Sequence, residues 1–407
     1  MKNCIVAQSG GPTAAINAGL AGVISGVLKS EYFDTVYGSL NGITGILDGR
    51  ILNLSDIFKT DDMLERLTMT PAMYLGSCRF KLPTYEADLD IYKRIFAFFE
   101  ENEIAAFFYI GGNDSMDTVD KLSAYAEAIG SPVRVLGIPK TIDNDLCVTD
   151  HTPGFGSAAK FVASTFLEIA HDTYIYKVKS VTIVEVMGRD AGWLTAASAL
   201  ARNEYSAAPH LIYLPEHAFS TDEFLADVKE LLEKQKNVIV AVSEGIRDKN
   251  GNYISAAENA TDTFGHSQLS GVGKTLECFL KKNLDVKVRS IELNVLQRCA
   301  AHIASRTDLE ESMHLGEAAV SAAKDGLTSA MMTIKRISNE PYTVSYESAP
   351  VCEVANKAQS VPLSFINERG NDIKEEMVAY LEPLIHGEMP IIYQKGLPCY
   401  MPVDHLL

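Results

Sequence analysis

The chain has 407 residues, 47% hydrophobic and 22% charged, which gives it material for a large core and the composition of a folded protein rather than a disordered one. Its formal net charge of -17 argues against nucleic acid and anionic membrane as partners, since both require basic stripes. The seven cysteines are scattered, odd in number and without a CxxC pair, so neither a zinc site nor a secreted disulfide framework is expected. No apolar run reaches the roughly 18 residues of a membrane span, and the first residues lack a signal peptide's apolar core, so the expected compartment is cytoplasmic.

In chain order, short apolar runs at 4–7, 36–39, 105–110, 133–138, 181–186, 211–214, 238–242 and 331–334 alternate with stretches of helical period. The first run leads into Ser9-Gly10-Gly11-Pro12-Thr13 and a helix predicted over about 14–28. Glycines there let backbone approach an anion, and a helix N-terminus adds N–H donors and a favourable dipole. An ordinary tight turn would look the same. A second loop, Gly111-Gly112-Asn113-Asp114-Ser115, repeats the arrangement and opens a helix with Met116, Val119, Leu122 and Ala126 at helical spacing. Two such loops at strand ends favour phosphate binding, with Arg79 as an additional cation.

The run at 133–138 ends in Pro139-Lys140-Thr141-Ile142-Asp143-Asn144-Asp145. Two carboxylates and an amide this close are tolerated by a solvated acidic turn. The functional alternative divides the work: one carboxylate takes a proton from an attacking hydroxyl, and the other holds Mg²⁺ against a transferring phosphoryl group. Met187-Gly188-Arg189-Asp190 closes the run at 181–186, with Asp190 the expected N-cap of a helix. Gly271-Val272-Gly273-Lys274-Thr275 looks like the end of a P-loop, but Gln268 stands where that motif needs glycine, so a plain helix start is expected. After about residue 345 the pattern loosens, apart from a helix near 373–381 that Pro383 helps to end. The whole reads as α/β, with two doubly wound lobes facing a cleft and ligands beyond the carboxyl ends of the strands.

Residues 139–145, the Gly-Gly-x-x-Ser loop at 111–115, Met187-Gly188-Arg189 and Gln297-Arg298 occur in the order and spacing of the phosphofructokinase family, which the chain resembles over roughly 3–336. The resemblance implies two Rossmann-like lobes. Residues 1–156 with about 300–345 form the phosphoryl-donor lobe, 157–299 the sugar-phosphate lobe, and 346–407 a C-terminal extension packing on both. It also implies magnesium-dependent phosphoryl transfer to the 1-hydroxyl of fructose 6-phosphate, with Asp143 as base and Asp145 and Asn113 at the metal. Thr141, Ile142, Met187, Gly188, Arg189, Glu244, Arg289 and Arg298 would join Asp143 around the sugar phosphate, Arg suiting phosphate through bidentate bonding.

Within the family the chain resembles the pyrophosphate-dependent branch, because Asp114 and Lys140 stand where ATP users typically carry glycine. Two unit charges about 4 Å apart repel by roughly 4 kcal/mol at an effective dielectric of about 20. A carboxylate at 114 would therefore disfavour the α-phosphate of ATP. Lys140 would hold pyrophosphate with Gly11, Arg79 and Gly112, and would complete a catalytic set with Asp143, Asp114 and Arg189. The resemblance further implies a reversible reaction serving glycolysis and gluconeogenesis, and a homodimer or homotetramer. Val295, Ser180 and Asn113 depart from residues common in the family, which keeps a non-catalytic regulatory subunit as one alternative; the other is an ATP-dependent enzyme whose loop tolerates Asp114.

Overall fold

The computed structural model describes residues 2–254 and 271–407, so Gln268 of the P-loop-like stretch lies outside the described residues. The chain first lays down β1 (Asn3–Gln8), β2 (Val36–Ser39), β3 (Ile51–Asn53), β4 (Ile104–Gly111) and β5 (Arg134–Pro139). It then builds a second sheet from β6 (Ser180–Val186), β7 (Leu211–Tyr213), β8 (Asn237–Ser243) and β9 (Lys287–Glu292). Finally it returns to the first sheet with β10 (Ala330–Asn339) and β11 (Tyr342–Pro350). The strand orders are β11-β10-β5-β4-β1-β2-β3 and β7-β8-β6-β9.

Among the described residues, the pairings within these two sheets are parallel except at the two edges of the larger one, β2 with β3 and β10 with β11. Helices cover both faces, so the central strands are buried on both sides and read as mostly apolar runs, with Thr182 and Glu185 of β6 as buried exceptions. The edge strands differ. In β9, Lys287, Arg289 and Glu292 interrupt the apolar run, and β11 is largely exposed, so neither was legible as a strand. In the larger sheet the order reverses beside β1, with β2 on one side and β4 on the other. In the smaller one it reverses at β6, between β8 and β9. Crevices at such reversals are where doubly wound sheets bind ligands.

The helix Ile16–Ser30, which follows the first glycine loop, packs tightly on the helix Arg306–Lys324. Gly22 and Gly316 make the approach possible: a Cβ on Gly22 would run into the Met313 carbonyl, and one on Gly316 into the Gly19 carbonyl. Gly22→Ala is therefore expected to destabilise the chain by about 1–3 kcal/mol through overpacking. Gly26→Ala is the control, its Cβ meeting only the Val320 side chain and the Glu317 Cα at 3.1–3.3 Å. Equal thermal midpoints for Gly22→Ala and the unaltered chain would refute the crossing.

The last part of the chain runs over both lobes. Asn356 and Lys357 meet Asn113, the Gln359 N–H donates to the Asp145 carbonyl at 2.7 Å, and the Val361 N–H donates to Glu216 at 2.9 Å. The short helix Glu375–Leu381 buries Met377 and Leu381 in the apolar core that contains Trp193. Met401 and His405 return to the first lobe, bonding Thr70 and the Tyr74 carbonyl.

Candidate active site

Three strand ends of the larger sheet meet at the donor side. β1 runs into Gly10, whose φ of +80° suits glycine, and β4 into Gly112, which leads the helix Asn113–Ala128. β5 delivers Lys140 between them, its backbone N–H bonded to the Gly111 carbonyl at 2.9 Å. The Lys140 side chain is 2% exposed, and its Nζ donates to the carbonyls of Ser9 (3.1 Å) and Gly11 (2.6 Å). An ammonium has three N–H donors, so one is left for a ligand. Burial pulls the Lys140 pKa down to about 8 against the pull of the Asp143 charge, with Arg298 lowering it further. Asp114 lies exposed in the first turn of the helix, and Arg79 is exposed as well.

The loop after Lys140 carries the carboxylates. The Thr141 hydroxyl accepts the Asp143 N–H at 3.1 Å, and Ile142 is buried in the second lobe's core. Burial raises the Asp143 carboxyl, with Lys140, Arg189 and Arg298 opposing the rise. Burial and then the Asp143 charge push Asp145 up to about 7. Among the described residues no group of three His, Cys, Asp or Glu could hold a metal. A metal held by one or two carboxylates would have to draw its other ligands from water and substrate phosphate. Asn113 Oδ1 accepts the Asn356 N–H at 2.6 Å, and its Nδ2 donates to the Lys357 carbonyl.

The smaller sheet supplies the opposite wall. Beyond β6, the Met187 N–H donates to Gln297 Oε1 at 3.2 Å and the Gly188 N–H to Glu244 Oε1 at 3.3 Å. Glu244 follows β8, and burial pushes it up to about 7. The Nε groups of Arg189 and Arg298 are buried without a hydrogen-bond partner. Arg298 reaches across to the donor loop, its Nη1 3.3 Å from where a Cβ on Gly11 would stand. Asp190 is not an N-cap, because the helix starts at Trp193 after Gly192; it pairs with Arg247 instead.

Arg289 lies elsewhere. Its register in β9 is opposite Thr182, towards the start of β6, and it donates to Asp172 (2.8 Å), Thr173 (3.1 Å) and Thr182 (3.2 Å). Within one chain it is thus not brought to Arg189 and Arg298. The sequence reading also missed partners behind the loop. His151 sits between Asp150 (2.7 Å) and Glu311 (2.6 Å), and Tyr380 meets Asn144 at 2.9 Å. No local signal marks them, since Glu311 and Tyr380 come from distant stretches of chain.

Comparisons with known proteins agree on one family. The family model described as "Phosphofructokinase" matches residues 3–323. A relative from Halomonas elongata, named pyrophosphate--fructose 6-phosphate 1-phosphotransferase, is 42% identical over 97% of this chain and 94% of its own length. One of the same name from Xanthomonas campestris pv. campestris is 42% identical over 99% and 96%. The crystal structure of a pyrophosphate-dependent phosphofructokinase from Nitrosospira multiformis superimposes with a TM-score of 0.89 at 38% identity, covering 98% of this chain and 96% of that one.

Proposed function

The chain belongs to the phosphofructokinase family, and from that premise we infer that it transfers a phosphoryl group from pyrophosphate to the 1-hydroxyl of fructose 6-phosphate, giving fructose 1,6-bisphosphate and phosphate. The observation that carries the reading is the buried Lys140 ammonium between two glycine loops, one N–H short of satisfied. It offers a compact charge where a small dianionic or trianionic donor would sit, and Gly11 and Gly112 let that donor approach backbone. The exposed carboxylate of Asp114 disfavours the longer phosphate chain of a nucleotide.

In this mechanism the C1 hydroxyl oxygen bonds to one phosphorus of pyrophosphate while its proton passes to Asp143. The bond from that phosphorus to the bridging oxygen breaks, and the departing phosphate keeps the electron pair. Lys140 faces the charge gathering on it. Asp143 suits the base role because its raised pKa brings it towards working pH. Arg189 and Arg298 bring unpaired guanidinium donors to the phosphates, and Glu244, with the Met187–Gly188 turn, accepts and orients sugar hydroxyls. Asp145 would hold Mg²⁺, which neutralises phosphate charge when bound. The reaction is near balance in energy, so the reading makes it reversible.

The reading extends to assembly. Arg289 lies with Tyr176, Val178, Ser180 and Lys287 around one shallow hollow, and Ile175 and Val178 beside it are 71% and 55% exposed. A homodimer or homotetramer would cover these apolar groups and let Arg289 serve a neighbour's sugar phosphate. All seven cysteines are unpaired thiols, which fits the reducing cytoplasm. Among the described residues no helix is long and apolar enough to cross a membrane.

The test is a coupled assay with fructose 6-phosphate and magnesium, pyrophosphate and ATP supplied in parallel. Turnover with pyrophosphate and little with ATP is expected. Turnover with ATP alone would overturn the donor assignment.

A further inference from the structure

Between the two carboxylates stands Asn144, with a φ of +53°. A non-glycine residue in the left-handed region is strained, Asn less than most, and here its side chain is tied down on both sides. Oδ1 accepts the Thr152 N–H at 2.8 Å, and Nδ2 donates to the Tyr380 hydroxyl at 2.9 Å. That hydroxyl in turn donates to the Asp150 carbonyl at 2.8 Å, so one oxygen joins the start and the end of the loop.

Tyr380 is itself held. Its ring lies 5.5 Å from the Trp193 ring, and the Arg336 guanidinium stands 4.7 Å from its centroid. Arg336 also bonds the Tyr380 carbonyl at 3.0 Å and Asp150 at 2.9 Å. The hydroxyl is therefore a fixed point rather than a swinging one. Tyr380 lies beyond residues 3–323, the stretch matched by the family model, so the grip is supplied from outside that stretch.

We propose that Tyr380 is a positioning residue for phosphoryl transfer: through its hydroxyl it locks Asn144 in the left-handed conformation and so sets how Asp143 and Asp145 face the reacting groups. This rests on the roles given above to those two carboxylates. Small displacements matter at such a site, a shift of about 1 Å being able to cost about 100-fold in rate.

The experiment is a double-mutant cycle in the full chain with pyrophosphate as donor. Tyr380→Phe keeps the ring and removes the oxygen. It is expected to lower kcat about 10–100-fold while both KM values stay within about twofold, measured well below the thermal midpoint. Asn144→Gly takes positive φ without a grip and should retain measurable turnover. In that background Tyr380→Phe should cost little more, since coupled residues are not additive. Independently of any donor, the Thr152 amide should exchange its hydrogen faster in Tyr380→Phe. The proposal is overturned by an unchanged kcat in Tyr380→Phe, by the same loss in the Asn144→Gly background, or by an inactive Asn144→Gly. An unaltered chain that fails to use pyrophosphate counts against the function instead, and the amide exchange then decides on Tyr380.

Discussion

Asp143→Asn is expected to lower kcat with pyrophosphate by about 10²–10⁴-fold, the range typical of removing a general base. The substitution is nearly isosteric and leaves the backbone N–H of residue 143 on the Thr141 hydroxyl. Folding and the outline of the site should survive, so the loss falls on chemistry. A second effect follows from charge. Asp143 is the main group holding Lys140 protonated against burial, so its removal pushes the ammonium's pKa further down. The KM for pyrophosphate should therefore rise as well, most clearly at alkaline pH. Steady-state kinetics on variant and parent check this; a kcat within about tenfold of the parent would mean that another group takes the proton.

Lys140→Met is expected to reduce kcat/KM for pyrophosphate by about 10²–10³-fold, comparable with the loss of one preorganised donor at a site of developing charge. Methionine fills similar space but leaves the Ser9 and Gly11 carbonyls without the donor they now share. The pH profile gives an independent reading. In the free enzyme the Lys140 pKa is depressed to about 8, so the ammonium is present below that value and lost as pH rises through it. The parent's kcat/KM should fall above about 8. Bound pyrophosphate favours the charged form, so the corresponding limb in kcat should move to higher pH. The variant should lack the alkaline limb in kcat/KM, and its persistence would assign that limb to a different group.

The sequence made the central sheets legible because parallel strands covered on both faces are mostly apolar, as β4, β6 and β8 are. The loops at their ends stood out because glycine and carboxylate clusters, each tolerable in an ordinary turn, recur there at the carboxyl ends of successive strands. The edge strands β9 and β11 were not legible, because they carry charged and polar residues at partly exposed positions, whereas the buried apolar edge strand β7 was. Burial of Lys140 also could not be read, since a lysine in a loop is normally solvated. It takes the folded arrangement of β1, β4 and β5 to enclose it. The same applies to Asn113, whose amide is shared with residues 356 and 357 by a contact no local pattern encodes. Arg289 illustrates the converse: motif spacing suggested a phosphate ligand, while the register of β9 fixes where one chain can put it.

The strap from Asn356 to Val361 and the grip of Tyr380 also bear on how the protein comes to be made. Asn144 and Tyr380 are 236 residues apart, and Asn113 and Lys357 are 244 apart. Contacts of such separation form late, after the entropy of closing the intervening chain has been met. During synthesis the amino-terminal strands and both glycine loops leave the ribosome long before the segment that completes the catalytic loop. A nascent chain can thus own the acidic and basic groups gathered at the strand ends before residues 356–380 have emerged to hold Asn113 and Asn144.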